Sequence, residues 1–259
     1  MKKVSAQFTL DMGKAEAFVD LVASTFDLAK RDVKQLRSKH PVAIGALDVH
    51  SKARKLGNTA DAYDGAFLTI CAQFEFVVRD LIEVFIDHLS IKIPIFRNLP
   101  DTIRTFYPRG CATVLINLEQ DKFQHLTQEM VLFSLASCVR CSAKRPYHFI
   151  GEAFSNHERN LNARVIDQIC RERLGLDDVW KRLARQNALA SCLGSKNEDT
   201  TEKRARETLD AAIRHRNNII HRGKSFYHTG ESEVRDSARF FTVLIDNLAT
   251  VMDNFLQSL

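Results

Sequence analysis

The stretch that organises the chain runs from Thr208 to Lys224 and reads TLDAAIRHRNNIIHRGK. Its apolar residues follow the spacing of a helix, but a charge interrupts them. At about 100° per residue, Leu209, Ile213 and Arg216 fall on one face, which Ile220 extends. Arg216 therefore projects towards the side of the helix that should pack on the core.

Arg216 has two interpretations. The simpler one is an amphipathic helix whose arginine extends its charge out to solvent. The alternative is a functional site, because burying an unpaired guanidinium costs several kcal/mol and needs a reason. Asn217 and His221 are four residues apart and share a neighbouring face. A fixed charge, an amide and an imidazole that titrates near neutral pH are suited to binding and cleaving a phosphodiester.

The same residues resemble a known superfamily. The sequence RNNIIH, from Arg216 to His221, is similar to the R-N-x-x-x-H motif of HEPN-superfamily ribonucleases. The segment FEFVVRDLI, from Phe74 to Ile82, resembles an early HEPN helix with an internal acid. The RiboL-PSP-like branch is a candidate subfamily, and the middle of the chain has no counterpart in the resemblance. The HEPN resemblance implies an all-α fold, namely a HEPN-like helical bundle with an elaborated central segment.

Composition supports a helical protein with a mild preference for anions. Only 10 Gly and 5 Pro in 259 residues favour long helices over a many-stranded sheet. The net charge of +5 is compatible with a nucleic-acid partner. Basic residues gather around the motif, although a solvated helix face would explain the same charge. No apolar run approaches the roughly 20 residues of a membrane span, so no membrane partner is expected.

Six cysteines and the N-terminal sequence bear on location and metal binding. The N-terminal segment lacks the continuous apolar core of a secretion signal, so free thiols and a cytoplasmic location are expected. Cys138 and Cys141 form a lone C-x-x-C, which is weak evidence for zinc or redox chemistry. No cluster has metal-ligand spacing, and no glycine-rich phosphate loop is present. We therefore predict neither a metal nor a cofactor.

Periodicity predicts one all-α domain over residues 1–259, with core helices over about 11–89 and 200–257 and a central helical elaboration over about 91–198. Phe18 and Leu21 are predicted to face inward on the first helix, and Met130 and Phe133 on a later one. Residues 110–118 fit a strand or a helix. The predicted helices cover residues 11–37, 49–56, 60–89, 101–106, 122–141, 158–174, 177–193, 199–222 and 232–256.

The helix over residues 60–89 is apolar nearly all round, which is typical of a central helix, yet Glu75 lies in its middle. One interpretation is an exposed i,i+4 pair with Arg79, worth a few tenths of a kcal/mol. The other is an ion pair between Glu75 and Arg216. In that case, removing either partner should cost a few kcal/mol, because the other charge is left buried and unpaired.

The HEPN resemblance implies a metal-independent endoribonuclease, in which the RNA 2′-hydroxyl attacks the adjacent phosphate and leaves a cyclic-phosphate end. His221 would remove the hydroxyl proton, Arg216 would stabilise the phosphorane charge, and Asn217 would hydrogen-bond either one, with Glu75 in support. Arg216 and His221 project roughly 140° apart around one helix. The resemblance accordingly implies a homodimer through the motif helix, with RNA bound at the shared face.

Neighbouring residues leave alternatives open. Arg214, Arg222 and Lys224 are candidates for binding flanking RNA phosphates, although solvated positions explain them equally well. His215 and His228 are more typical of surface histidines. The superfamily alone suggests a toxin or antiviral effector, with an antitoxin or regulatory protein as a further partner. Two other functions fit the sequence: a non-catalytic HEPN module that binds RNA, nucleotide or a partner protein, and a helical scaffold with an accidental motif.

Overall fold

A computed structural model describes residues 1–30, 51, 60–142, 147–157, 160–221 and 228–259. Within these ranges the chain is helical and contains no β-strand. The predicted all-α class is therefore confirmed.

Ten α-helices are present in the described ranges, with short 3₁₀ segments at Phe96–Asn98 and Asp121–Phe123. A π-helical turn at Ile169–Arg173 continues α6. The helices are α1 Lys2–Lys30, α2 Ala60–Lys92, α3 Asp101–Ile116, α4 Gln128–Arg140, α5 Glu152–Ser155, α6 Ala163–Gln168, α7 Val179–Ala184, α8 Asn187–Cys192, α9 Glu198–Ile220 and α10 Glu231–Ser258.

Three long helices, α1, α2 and α10, pack against one another and form the main core. On α2, the predicted inner face is buried throughout. Phe74 stacks on Phe241 of α10 with ring centroids 4.5 Å apart, and Phe85 stacks on Phe255 at 6.0 Å. Each large buried side chain contributes about 1.5–3 kcal/mol relative to exposure, so α2 is central, as its sequence predicts.

Helix α1 differs from its prediction in both start and face. It begins at Lys2, because Phe8, Met12 and Val19 make a buried stripe that starts ahead of residue 11. Phe18 and Leu21 were predicted to face inward, but they are 46% and 63% exposed. The predicted end near residue 37 lies outside the described residues, as does the predicted helix 49–56 apart from residue 51.

Helix α3 replaces a predicted connector that carried only a short helix over residues 101–106. It continues through Pro108 to Ile116, which also resolves the ambiguity at residues 110–118 in favour of a helix. A proline inside a helix costs about 3 kcal/mol. Burial of Ile103, Tyr107 and Val114 on one face offsets that cost.

Helix α4 begins later than predicted and turns a different face inward. Thr127 is its N-cap, and the Oγ1 atom accepts a hydrogen bond from the backbone N–H of Met130 at 3.2 Å. Met130 and Phe133, predicted to face inward, are 48% and 67% exposed. Val131, Ser134 and Cys138 are buried instead.

The predicted helix over residues 158–174 is shorter than predicted, and the one over 177–193 is both shorter and divided into α7 and α8. Gly175 separates them with a φ of 70°, and the next cap position is Asp178 at φ 54° rather than Asp177. Trp180 and Leu183 are buried as predicted. The indole Nε1 of Trp180 donates to the Ala163 carbonyl oxygen at 3.0 Å and ties α7 to α6.

Helix α9 carries the motif and starts behind Asn197, whose Oδ1 accepts from the Thr200 N–H at 2.8 Å. It packs on α2 and also on α6, α7 and α8. The motif helix therefore lies where the long-helix core meets the central segment. The division into one core and one elaboration stays a prediction.

All six cysteines are free thiols. Among the described residues, none of the helices has the length and apolar character needed to cross a membrane.

Candidate functional site

Arg216 lies on α9 one turn beyond the buried pair Leu209 and Ile213. Its side chain is 23% exposed, so the guanidinium sits at the edge of the core rather than inside it. The Nη1 atom donates to Asn160 Oδ1 at 2.7 Å and to Asn217 Oδ1 at 3.2 Å. Two neutral amide oxygens thus orient the cation without neutralising it.

Glu75 of α2 contacts the same guanidinium. Its Oε2 lies 3.9 Å from Arg216 Nη2, and its side chain is 16% exposed. The backbone N–H of Leu161 donates to Glu75 Oε1 at 3.5 Å. The predicted ion pair with Arg216 is therefore present, but its length and partial exposure make it weaker than a fully buried pair.

Asn160 completes this group, and it was not predicted. Its Nδ2 atom donates to Asn217 Oδ1 at 3.0 Å, while its Oδ1 accepts from Arg216. The only local signal was Asn162, a helix N-cap whose Oδ1 accepts from the Val165 N–H at 2.9 Å. A cap predicts where α6 begins, but not that Asn160, two residues earlier, contacts α9.

A cleft of about 400 Å³ runs along the flank of α9 beside Asn217. Asn217 uses its carbonyl oxygen for the contacts with Arg216 and Asn160, so its NH₂ group is suited to donate to a ligand. Arg214, predicted to bind RNA, also lines the cleft and donates from Nε to the Asp210 carbonyl oxygen at 3.2 Å. Glu207 and Asp210 line it as well, which reduces its positive charge.

His221 lies at the exposed C-terminal end of α9. Its backbone N–H donates to the Asn217 carbonyl oxygen at 2.9 Å and closes the last turn. The neighbouring Ile220 is 50% exposed. Within one chain, the structure brings Arg216, Asn217 and Glu75 together, whereas His221 lies one turn beyond Asn217, at the C-cap of the helix. Arg222 and Lys224, also predicted to bind RNA, lie outside the described residues.

His215 and His228 belong to one polar network, in which His215 is half-buried and His228 is exposed, as predicted for a surface histidine. His215 Nε2 lies 3.0 Å from Thr229 Oγ1, and its ring packs edge-on against Phe67. Thr229 donates to Asp64 Oδ1 from both its backbone N–H, at 2.9 Å, and its hydroxyl, at 2.5 Å. His228 Nδ1 lies 3.2 Å from Asp64 Oδ2. The network ties α9 and α2 to the segment that precedes α10.

Asp61, Asp64 and His228 also place three ligand-type atoms within 4.8 Å of one another, among the residues described. Sequence spacing did not indicate this group, because the histidine lies far along the chain from the two acids. The hydrogen bonds of Asp64 account for the cluster as a structural tie.

Asp64→Ala is expected to lower the free energy of unfolding by about 2–4 kcal/mol, because it leaves the buried Thr229 N–H and hydroxyl without their acceptor. Asp61→Ala is the matched control. Asp61 is an exposed first-turn acid of the same helix, worth about 1 kcal/mol or less. Urea unfolding of both variants measures the difference, and equal effects would contradict the structural role.

The family model described as RiboL-PSP-HEPN matches residues 46–254. The chain belongs to the RiboL-PSP-HEPN family. The HEPN resemblance and its RiboL-PSP-like branch are therefore confirmed, and the matched range also includes the central segment that had no counterpart in the motif comparison. No curated protein and no solved structure matches the chain. As a RiboL-PSP-HEPN protein it contains a HEPN module. The R-N-x-x-x-H sequence of this chain lies at the end of α9 and includes its C-cap, His221.

Proposed function

We propose that this RiboL-PSP-HEPN protein is a metal-independent endoribonuclease that leaves cyclic-phosphate ends. The observation that carries the proposal is the arrangement of α9. Arg216 is held in one orientation by Asn160 and Asn217, and His221 is exposed on the same helix. This arrangement combines an oriented cation with an accessible proton acceptor.

The chemistry follows from these groups. The imidazole of His221 removes the proton of a ribose 2′-hydroxyl, whose oxygen attacks the adjacent phosphorus. Arg216 stabilises the charge that develops on the phosphorane oxygens through N–H groups in a fixed fork. The P–O5′ bond breaks, and the 5′-oxygen takes a proton from an acid on the opposite side. The products are a 2′,3′-cyclic phosphate and a 5′-hydroxyl.

A second copy of the chain supplies the remaining groups in this proposal. Arg216 and His221 project roughly 140° apart on one helix, so a single α9 does not aim both at one phosphate. Two α9 helices related by a two-fold axis would place both arginines and both histidines around a shared groove. The exposed Ile220 beside His221 supports such an interface, because it gives the helix end an apolar contact surface.

Flanking contacts and biological role complete the proposal. Arg214, together with Arg222 and Lys224, would bind neighbouring RNA phosphates as salt-sensitive, sequence-tolerant contacts. A role as a toxin or antiviral effector, restrained by an antitoxin or regulatory protein, is proposed from the family alone. RNA and a second copy of the chain are the partners on which the proposed chemistry depends.

The proposal is tested with purified protein, EDTA and two oligonucleotides of one sequence. One is RNA, and the other carries 2′-deoxyribose throughout. We expect cleavage of the RNA alone, because the deoxy strand lacks the attacking hydroxyl. Cleavage of both strands at similar rates would contradict the mechanism.

One observation favours a non-catalytic alternative, an RNA-binding HEPN module. The Arg216 guanidinium is already engaged by Asn160, Asn217 and Glu75, which is also what a structural role would require. Under this alternative the protein binds the RNA strand in a gel-shift assay and leaves it intact.

A further inference from the structure

A second cleft, of about 450 Å³, lies among α3, α5 and α6, close to the motif site. Its floor is made where α3 and α5 approach closely. A side chain at Gly110 would meet the Ala153 carbonyl oxygen at 2.4 Å, so this contact needs glycine. Phe106 and Val165 contribute apolar lining. The cleft is thus formed by helix packing rather than by a loop.

The described residues that line this cleft carry positive charge and include neither Asp nor Glu. Two are arginines, and the other four polar side chains, including His157, can donate or accept hydrogen bonds. The cleft beside Asn217, by contrast, includes two carboxylates. Electrostatics therefore favour an anion in the second cleft. The polar lining residues are His157, Arg164, Arg173, Thr113, Asn156 and Gln168.

Arg173 is a partly buried cation that forms no salt bridge among the described residues, although the charge of the adjacent Glu172 acts on it. Its Nη1 donates to the carbonyl oxygens of Phe154, at 2.7 Å, and Asn156, at 2.5 Å. The guanidinium lies 5.2 Å from the centre of the Phe106 ring. Burial lowers the pKa of Arg173. An anion would offset this desolvation, and the remaining N–H groups of the guanidinium can bind it.

His157 adds a hydrogen-bond acceptor. Its Nδ1 lies 3.0 Å from the Ser155 carbonyl oxygen, so Nδ1 must carry the proton in that contact. Burial lowers the pKa of His157, and the nearby Arg79 adds to the effect. The ring is therefore neutral near pH 7, and Nε2 can accept a hydrogen bond from a hydroxyl group. A phosphate beside a sugar hydroxyl matches this combination of groups.

The residues that line the cleft lie close in sequence to residues that contact the motif site. Asn156 and His157 line the cleft, while Asn160 and Leu161 contact Arg216 and Glu75. Helix α2 passes close to both the cleft and the motif site. Arg79 lies one turn beyond Glu75, about 6 Å along the helix, and its charge acts on His157. Nucleotide units bound in the cleft and at Arg216 would therefore be neighbours on one RNA strand.

We propose that this cleft binds a ribose-phosphate unit of the RNA strand next to the unit that is cleaved. Arg164, exposed on α6, and Arg173, on the inner wall, bind the phosphate. His157 accepts a hydrogen bond from the ribose hydroxyl. This inference rests on the proposed ribonuclease function and extends it to how the substrate is held.

The test measures RNA binding by fluorescence anisotropy in the full-length His221→Ala variant, which retains this cleft. In that background, Arg164→Glu is expected to weaken binding of a labelled single-stranded RNA about ten-fold. The slope of log affinity against log salt should also fall by about one. The control is Lys203→Glu, the same charge change at a side chain that is 75% exposed on α9. It should alter affinity by less than about two-fold, and circular dichroism verifies that both variants fold.

Other outcomes are equally informative. Equal weakening by Arg164→Glu and Lys203→Glu overturns the cleft proposal, since it shows a general charge effect. Displacement of the RNA by a mononucleotide at comparable concentration overturns the assignment to an RNA strand. If wild type binds RNA through Arg164 but never cleaves it, the cleft stands and the nuclease proposal fails. If wild type cleaves RNA and Arg164→Glu leaves binding unchanged, the nuclease proposal stands and the cleft proposal fails.

Discussion

His221→Ala is expected to reduce RNA cleavage by about 10²–10⁴-fold, because the variant lacks the group that takes the 2′-hydroxyl proton. The reduction should lie near the upper end of this range, because both copies of His221 would be lost from a shared groove. Stability should change little. His221 is exposed, and its contribution to the end of α9 is a backbone hydrogen bond that alanine retains.

His88→Ala is the matched control, because it removes another exposed histidine from a helix. Its cleavage rate should equal that of wild type. Single-turnover rates with saturating protein measure the chemical step, and size-exclusion chromatography shows whether dimerisation persists. If His221→Ala cleaves within a few-fold of wild type while remaining folded, His221 is not the base and the proposed site is wrong.

Arg216→Ala is expected to reduce cleavage by about 10²–10³-fold, the usual cost of removing one donor that stabilises developing negative charge. The loss of stability should be small by comparison. The contact with Glu75 spans 3.9 Å, and both side chains keep some exposure to water. We therefore expect about 1–2 kcal/mol rather than the 3–5 kcal/mol of a fully buried pair.

Arg216→Lys separates the two roles. Lysine keeps the positive charge near Glu75 but lacks the planar fork that binds two phosphate oxygens. It should preserve stability and still cleave poorly. Asn160→Ala tests the orientation of the guanidinium, and we expect kcat to fall about ten-fold with little change in KM. Cleavage by Arg216→Lys at the wild-type rate would show that the fork is not needed.

The sequence predicts well those helices whose inner face is unambiguous. On α2 the apolar stripe is broad and continuous, and the structure buries it as predicted. On α1, apolar residues occur on more than one side of the helix. The helical period alone therefore does not show whether Phe18 or Val19 is buried. Packing against both α2 and α10 selects Val19, which is fully buried. Helix α4 shows the same limit, because Phe133 is exposed and Ser134 is buried.

The residues of the candidate site likewise fall into those that the sequence can indicate and those that it cannot. Arg216, Asn217 and His221 share one helix and form a local pattern, so the sequence can indicate them. The contact of Arg216 with Glu75 could be proposed, since two charges in apolar surroundings favour pairing. Asn160 could not, because its role depends on how the central segment folds onto α9. The lining of the second cleft likewise brings together residues from three separate helices.

The most direct test of the central claim is to identify the RNA ends after digestion by wild-type protein in EDTA, using mass spectrometry. Attack by the 2′-hydroxyl, with His221 as base and Arg216 beside the phosphate, predicts 2′,3′-cyclic phosphates paired with 5′-hydroxyls. Ends that carry a 5′-phosphate and a 3′-hydroxyl, or cleavage that begins only when a divalent metal is added, would contradict it.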